Sequence, residues 1–338
     1  MLCKTPLDVL CQILNCSSVA CSPLTEDGSN RQYFRITPDS FNTPPLILMQ
    51  IHNQDALDLK NDRYSWISIS EVLNSNSVFV PKIHGIIKEY DAIIIEDFGD
   101  QTLDIKISES SDKIRLEIYK SPVEDICKFI KIKPSGSSPW STRGFDYTLL
   151  KKELDFFKNQ FLENLKEFQN DRDREKFSQE AESLSRHIGR LPQYFTHRDF
   201  HSRNLMLHQN KIGVIDFQDA RWGPSAYDLC SLCFDPYVNL NYNMRSQLFK
   251  QSLEVIGEKT SLALKDEIES TWKEVLLQRM LKAIGSFAFL TKKGKRDYRR
   301  YINPTLNNLQ YFLQENSEWP YLTKELIPRL IKISHEKA

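Results

Sequence analysis

Three polar side chains near the middle of the sequence have the types and the spacing that phosphoryl transfer requires. Asp199 follows His197 and Arg198, Asn204 comes five residues later, and Asp216 comes twelve residues after that. Phosphoryl transfer needs an acceptor hydroxyl held in place and a metal clamp on the phosphate oxygens, with little covalent chemistry from the protein. Asp199 can take the hydroxyl proton, and the amide and carboxylate oxygens of the other two residues suit Mg²⁺.

The segment that joins Asn204 to Asp216 predicts how these two side chains meet. Residues 205–207 and 211–215 are apolar or β-branched and flank the turn residues 208–210, so we predict a short hairpin. A hairpin returns the backbone and sets Asp216 beside Asn204. Taken singly, the His-Arg-Asp group could be a surface ion-pair cluster, and an Asp-Phe dipeptide carries no information. In this order and joined by a hairpin, the pieces predict a phosphoryl-transfer site.

The same segment resembles a known group of enzymes. Residues 197–204 read HRDFHSRN, similar to the His-Gly-Asp-x-His-x-x-Asn motif of the aminoglycoside phosphotransferase and choline kinase superfamily. The second histidine, His201, separates this superfamily from protein kinases. With residues 213–220 and 223–229, the match resembles the branch of bacterial anomeric sugar kinases, which phosphorylate N-acetylmuramate or N-acetylglucosamine at C1 during cell-wall recycling. The resemblance covers most of the chain, from about Gly28 to about Asn307.

The resemblance implies a fold class and a domain organisation. The fold is expected to be α+β, bilobal and protein-kinase-like, with a small β-rich N-lobe and a larger helical C-lobe. The N-lobe would span residues 1–100 and bind the nucleotide, and the C-lobe would span residues 101–338 and carry the catalytic loop and the acceptor site. The sequence pattern agrees, because strand-like segments predominate before this boundary and helical segments after it, apart from the catalytic hairpin.

The resemblance also implies cofactors and residue roles in the catalytic loop. ATP and Mg²⁺ are the expected cofactors, Asp199 the catalytic base, and Asn204 and Asp216 the magnesium ligands. Arg203 is expected to offset charge on the transferring phosphoryl group or to contact the acceptor. His201 is expected to shape the loop through hydrogen bonds, because a magnesium site of this kind needs no imidazole ligand.

Two segments of the N-lobe are predicted to bind the nucleotide. Ser29, Asn30 and Arg31 follow a glycine and resemble the phosphate-binding turn of the sugar-kinase branch, although an ordinary hairpin turn would also fit these residues. The backbone groups of Asp97 and Phe98 are expected to bind the adenine edge at the hinge between the lobes. A simple interdomain turn is the alternative for the second segment.

One feature of protein kinases is missing from the predicted N-lobe. Residues 45–51 form an apolar run and predict a buried strand, but they contain no lysine to bind the α- and β-phosphates. Four basic residues are candidate replacements, namely Arg31, Arg35, Lys60 and Arg63. A catalytically weak nucleotide-binding regulator is the alternative from a different functional class.

The acceptor site is predicted from three residues of the C-lobe. Glu153 lies on an amphipathic segment, residues 145–166, and resembles a family glutamate that faces the acceptor; an exposed helix acid is the alternative. Arg143 lies in a loop rich in Pro, Gly and Ser, and Trp222 could stack on a sugar ring, although aromatics at such positions are more often core residues. An aminoglycoside, choline, ethanolamine or a homoserine-like metabolite is the alternative acceptor.

Composition limits the classes of partner. The chain has 338 residues with 45 Lys+Arg and 45 Asp+Glu, so its formal charge is zero, whereas a nucleic-acid or anionic-membrane partner would favour a basic excess. No apolar run reaches the roughly 20 residues that span a bilayer. Seven cysteines and no convincing signal peptide favour the cytoplasm over a secreted, disulfide-linked protein. We expect a small-molecule substrate and a monomer or weak homodimer.

Overall fold

The computed structural model describes residues 6–24, 31–39, 44–61, 64–134, 139–168, 170–294, 298–315 and 318–336. The strands are β1 Val19–Pro23, β2 Gln32–Pro38, β3 Leu46–Gln50, β4 Ile83–Ile87, β5 Ala92–Glu96, β6 Gln193–Thr196, β7 Leu205–His208, β8 Lys211–Val214 and β9 Arg221–Pro224. The helices are α1 Pro6–Leu14, α2 Asn53–Lys60, α3 Ser65–Ser75, α4 Leu103–Ser108, α5 Asp112–Ile118, α6 Lys120–Lys131, α7 Tyr147–Gln160, α8 Asp171–Ile188, α9 Tyr227–Cys233, α10 Tyr242–Lys259, α11 Leu262–Lys292, α12 Ile302–Leu313 and α13 Ile327–Glu336. Among the described residues, each helix is too short or too polar to span a membrane.

The chain divides into two compact units, and the first is built on an antiparallel sheet. This unit comprises Met1–Gln101 and Met206–Gln218, and the second comprises Thr102–Leu205 and Asp219–Ala338. The five strands of the first unit lie in the order β1-β2-β3-β5-β4. The internal strand β5 is a run of isoleucines that is buried on both faces, as β-branched residues favour. The predicted buried strand at residues 45–51 is confirmed as β3.

The apolar spacing of residues 58–73 predicts a single helix with Trp66, Ile67, Ile69 and Leu73 facing inward, and the prediction of a single helix is wrong. The structure has two helices here, because α2 ends at Asn61 and Tyr64 adopts an extended conformation before α3 begins. Asn61 is a poor helix former, and the buried Tyr64 is held by a hydrogen bond from Arg31. The inward face of α3 is as expected, with Trp66 packed against Phe217 at 5.0 Å between ring centroids.

The predicted catalytic hairpin is confirmed as β7 and β8. Gln209 and Asn210 form its two-residue turn, and both have a positive φ, as the turn that matches the twist of a hairpin requires. The hairpin is bound within the first unit, since Val214 N–H donates to the carbonyl of Phe79. Gly213 lies against the ring of Phe98, where an added Cβ would stand 2.2 Å from the nearest ring atom.

The second unit is helical and is organised around α11. This helix packs against α7, α9, α10 and α12, and it carries buried side chains along most of its length. The small antiparallel sheet β6-β9 holds the two ends of the segment that contains the catalytic loop. At Gly285, α11 lies close to α7, and an added Cβ would stand 2.8 Å from Cα of Phe157. A side chain at position 285 would therefore have to push the two helices apart.

Replacing Gly285 with valine is expected to destabilise the protein by about 1–3 kcal/mol, as overpacking of a rigid contact does. The clash is with backbone atoms of α7, which cannot rotate away. The thermal unfolding midpoint measures the effect. Gly257→Ala in α10 is the matched control, because its nearest neighbour is the flexible side chain of Lys265. An unchanged midpoint for Gly285→Val would show that α7 and α11 separate without cost.

Candidate active site

Two buried carboxylates hold the backbone of the catalytic loop, residues 197–204. Asp228 accepts the backbone N–H groups of His197 at 2.6 Å and of Arg198 at 3.0 Å. Asp235 accepts the backbone N–H of Ser202 at 2.8 Å. Burial raises the pKa of Asp228 to about 7, although both backbone N–H groups favour the carboxylate. Asp228 therefore anchors the first two residues of the catalytic loop.

Asp199 stands in this loop beside two cations from α11. Nζ of Lys282 is 2.9 Å from its Oδ1, and a guanidinium nitrogen of Arg279 is 3.6 Å from the same oxygen. The carboxylate keeps 30% of its side-chain surface exposed. Burial acts to raise the pKa of Asp199, but Lys282, Arg279 and Arg198 outweigh burial and hold that pKa well below its usual range. Asp199 is therefore an anion at every physiological pH.

His201 is uncharged in this setting. Burial lowers its pKa to about 3, and the nearby cations act in the same direction against the attraction of Asp199. The imidazole packs edge-on against Tyr237, with ring centroids 5.0 Å apart. The backbone carbonyl of His201 accepts the N–H of Asn204 at 2.9 Å, so this residue also helps to form the turn.

The protein is expected to lose stability on acidification through His201. Its pKa is about 3 in the folded state and about 6.5 when unfolded, so the unfolded chain binds a proton that the folded chain excludes. This contribution is fully present above about pH 6.5 and is lost as the pH falls. His201→Asn should flatten the fall of the unfolding midpoint between about pH 7.5 and pH 5. The same substitution at the exposed His52 serves as control, and a slope unchanged by His201→Asn would contradict the assignment.

Arg203 is held among aromatic rings and an acid. Its guanidinium lies 4.0 Å from the ring centroid of Tyr237, donates to the hydroxyl of Tyr301 at 2.7 Å, and is 3.4 Å from Asp104. These contacts fix the end of the catalytic loop to the second unit. They give Arg203 a structural role, and a contact with the phosphoryl group or the acceptor stays a prediction.

The two predicted magnesium ligands belong to different units, and each makes a hydrogen bond within its own unit. Asn204 donates its Nδ2 to the backbone carbonyl of Asp199 at 2.9 Å, which turns its oxygen, the atom a hard cation prefers, away from that bond. Asp216 has a φ of 61° and accepts a hydrogen bond from Gln218 at 2.9 Å. One amide and one carboxylate fit Mg²⁺ when phosphate and water oxygens supply the other ligands. No group of three or more His, Cys, Asp or Glu side chains in the described ranges is arranged to hold a metal.

The basic candidates for nucleotide binding are ion-paired inside the first unit. Arg31 pairs with Asp55 at 2.9 Å, Arg35 with Asp97 at 2.5 Å, and Lys60 with Asp91 at 3.0 Å. Ser29 and Asn30, with the candidate Arg63, lie outside the described residues. A nucleotide phosphate would therefore compete with a carboxylate for each of the three described cations.

The hinge segment uses its side chains for structure. Phe98 is buried and stacks on Phe79 and His208, with ring centroids 4.8 and 4.9 Å away. Asp97 is bound by Arg35 and accepts the N–H of Gly99 at 2.8 Å. The predicted contact of this segment with adenine concerns backbone groups and stays a prediction.

Glu153 is buried beside the catalytic loop, so the alternative of an exposed helix acid is wrong. Its two oxygens accept from Arg198 and from Gln278, each at 2.8 Å. Burial acts to raise the pKa of Glu153, but Lys282 and Arg198 outweigh it and lower that pKa. A groove of about 630 Å³ opens next to this pair. The groove is lined by Tyr147, Thr148, Leu149, Lys151, Lys152, Glu153, Asp155, Phe156, Asn159, Arg198, Lys282 and Ser286.

The sequence profile of the phosphotransferase enzyme family matches residues 20–253. The chain belongs to this family. An N-acetylmuramate/N-acetylglucosamine kinase of Neisseria meningitidis is 26% identical over 84% of this chain and 83% of its own length. A kinase with the same description from Pseudomonas aeruginosa is 29% identical over 64% of this chain, and the match spans only 60% of that relative.

The fold of this family member is shared with solved kinases and phosphotransferases. A choline kinase from Cryptosporidium parvum superimposes with a TM-score of 0.62 at 15% identity, covering 96% of both chains. An ADP-bound aminoglycoside phosphotransferase gives a TM-score of 0.56 at 13% identity, covering 90% of this chain and 95% of that one. The prediction of an α+β, protein-kinase-like fold is confirmed.

Two of the predicted acceptor residues have structural roles in this phosphotransferase. Trp222 is only 9% exposed, stacks on the buried Trp140, and donates its ring N–H to the carbonyl of Ser141 at 2.7 Å. Little of the ring is therefore left to stack on a sugar, and a contact of Trp222 with the acceptor stays a prediction. The backbone carbonyl of Arg143 accepts the N–H of Trp222 at 2.9 Å. A contact between the Arg143 side chain and the acceptor stays a prediction.

Sequence reasoning missed the polar side chains of α11 that reach the catalytic loop. Gln278, Arg279 and Lys282 contact Glu153 or Asp199, yet this segment was predicted only as a helix of the second lobe. A signal was present, because Gln278, Lys282 and Ser286 recur every four residues and so lie on one face. A polar stripe inside an otherwise apolar helix indicates a buried polar partner.

Proposed function

We propose that this family member is an ATP- and Mg²⁺-dependent kinase that phosphorylates the anomeric hydroxyl of an N-acetylated amino sugar, N-acetylmuramate or N-acetylglucosamine. The observation that carries the proposal is a partly exposed, ionised Asp199 whose ion-pair partner Lys282 lines a groove of about 630 Å³. The descriptions of both bacterial relatives support the acceptor class. We further propose that the enzyme works in the cytoplasm, where ATP is available, with residues 1–100 binding the nucleotide and residues 101–338 the acceptor.

Each residue of the site has its own role in the proposed reaction. Asp199 accepts a hydrogen bond from the acceptor hydroxyl and takes its proton as the bond to phosphorus forms, and ADP leaves. A weakly basic carboxylate suffices, because a loose transition state develops little charge on the attacking oxygen. Asn204 and Asp216 would hold Mg²⁺, which when bound would offset the negative charge of the transferring phosphoryl group. Arg198 and Glu153 both line the groove, and their ion pair holds the two side chains in place there.

The charge pattern of the groove favours an uncharged or anionic sugar over a cationic acceptor. Each described acid near the groove already has a cation partner in the protein: Glu153 pairs with Arg198, Asp155 with Lys151 at 2.6 Å, and Asp199 with Lys282. A polycationic aminoglycoside or a choline cation would have to displace one of these. This observation ranks the amino sugar above the cationic alternatives.

Coupled ADP release with purified protein tests the proposal. MgATP is supplied with N-acetylmuramate, N-acetylglucosamine, kanamycin or choline, and each reaction is repeated with EDTA. We expect turnover with the acetylated sugars only, and none with EDTA. Loss of the product's phosphate in mild acid, without loss from a 6-phosphate standard, would identify the anomeric ester. Turnover on kanamycin or choline instead would refute the acceptor class, and ATP binding without any turnover would support a regulator.

A further inference from the structure

A buried lysine contacts the aspartate that we propose as the base. Lys282 has only 12% of its side chain exposed, and its Nζ lies 2.9 Å from Oδ1 of Asp199. Removing an ammonium group from water is costly unless an anion compensates it. Burying Lys282 therefore costs desolvation free energy that a neutral side chain at this position would not. This cost points to a use for its charge.

The helix α11 brings Lys282 to this place together with two neighbours. Gln278, one turn earlier on the same face, holds Glu153 at 2.8 Å. Arg279 donates to Ser231 at 2.9 Å, and this bond fixes its guanidinium 3.6 Å from Asp199. The helix α11 therefore presents three polar side chains to Glu153 and Asp199 together.

Both cations act on the same oxygen of Asp199. In the described part of the chain, the ion pairs and hydrogen bonds of this side chain end on Oδ1. An aspartate side chain otherwise rotates broadly about its last torsion and exchanges its two oxygens. With Oδ1 held, Oδ2 has a defined direction and remains available to the exposed side of the carboxylate.

We propose that Lys282 is a positioning residue for phosphoryl transfer, which by holding Oδ1 of Asp199 directs Oδ2 at the acceptor hydroxyl. The inference rests on the proposed function, since it takes Asp199 to be the base. Lys282 lies outside the catalytic loop, 83 positions from Asp199 in the sequence.

Kinetics of Lys282 variants test the role. Lys282→Met is expected to lower kcat by about 10²-fold, the scale of a misplaced catalytic group, while KM for MgATP stays within about threefold. Lys282→Arg keeps the charge and should recover much of the loss. Lys265→Met is the control, because Lys265 is on the same helix but pairs with Glu254 at the surface. Equal losses in kcat for the Met and Arg variants would overturn the proposal.

A double-mutant cycle separates positioning from a general structural effect. In the Asp199→Asn background, Lys282→Met should change kcat by less than about threefold, because its target is already lost. A further loss as large as in the wild type would overturn the proposal. If the wild type turns over none of the acceptors, the proposed function fails, and the cycle is then read on unfolding midpoints. Midpoint shifts that simply add would show that the two side chains do not interact and would likewise overturn it.

Discussion

Replacing Asp199 with asparagine is expected to lower kcat by about 10²–10⁴-fold while MgATP still binds, because the general base is lost and its shape is kept. An amide oxygen can accept a hydrogen bond from the acceptor hydroxyl, but it cannot take the proton. The contacts that shape the loop do not depend on this carboxylate, since the bond from Asn204 ends on the backbone carbonyl of Asp199. Turnover is measured by ADP release, and nucleotide affinity by titration calorimetry.

Two further measurements make the Asp199 result specific. Asp171→Asn changes an exposed carboxylate at the start of α8 and should leave kcat unchanged. The unfolding midpoint of Asp199→Asn reports whether Lys282 and Arg279, which lose their anionic partner, disturb the fold. A variant that keeps wild-type turnover would refute the assignment of the base, and one that also fails to bind MgATP would show a structural defect instead.

The catalytic loop and its hairpin could be predicted because their signals are local. The spacing of Asp199 and Asn204 is fixed within one loop, and the hairpin β7-β8 follows from apolar arms on either side of a two-residue turn. The shift from strands to helices near residue 100 is a pattern of the same kind. Each of these features depends on neighbours within about twenty residues, where hydrophobic period and turn residues are informative.

The partners that set the chemistry of the site could not be predicted, because they are distant in sequence. Lys282 is 83 residues from Asp199, and Gln278 is 125 residues from Glu153. Helical periodicity places these residues on α11, but it does not say which loop the helix meets. The burial of Trp222 is similar, because it depends on packing against Trp140 from another segment.

The absent strand lysine remains the largest departure from protein kinases. On β3 the side chain of Met49 is fully buried, and Gln50 donates to the carbonyl of Tyr90 at 2.6 Å. In protein kinases the strand lysine forms an ion pair with a helix glutamate. Here Glu71 on α3 is exposed, so the described part of the first unit has no counterpart of that pair. We therefore expect the α-phosphate of a bound nucleotide to be held in the first unit by a cation that leaves its carboxylate, or by backbone N–H groups.

Arg245 supports the catalytic loop from the far side of Asp235. It is 3% exposed and donates to four backbone carbonyls, which belong to Cys233, Asp235, Val238 and Leu240. These bonds fix the segment that follows α9. That segment in turn presents the Asp235 carboxylate to the backbone N–H of Ser202 at 2.8 Å. The buried guanidinium of Arg245 therefore provides donors for four backbone carbonyls. It also keeps Asp235, which binds the catalytic loop, in position.

Replacing Arg245 with methionine is expected to cost about 4 kcal/mol or more in folding free energy, because four carbonyls lose their donor in a buried site. Arg245→Lys should recover only part of this, since an ammonium lacks the planar fork that reaches several carbonyls at once. The matched control is Arg174→Met, which removes a partly exposed pair with Glu163 and should cost much less than the loss of Arg245. Thermal unfolding midpoints compare the variants, and a loss for Arg245→Met no larger than for Arg174→Met would show that water replaces the guanidinium. In that case Asp235 would keep its place through its own hydrogen bonds, and kcat of the variant would match the wild type.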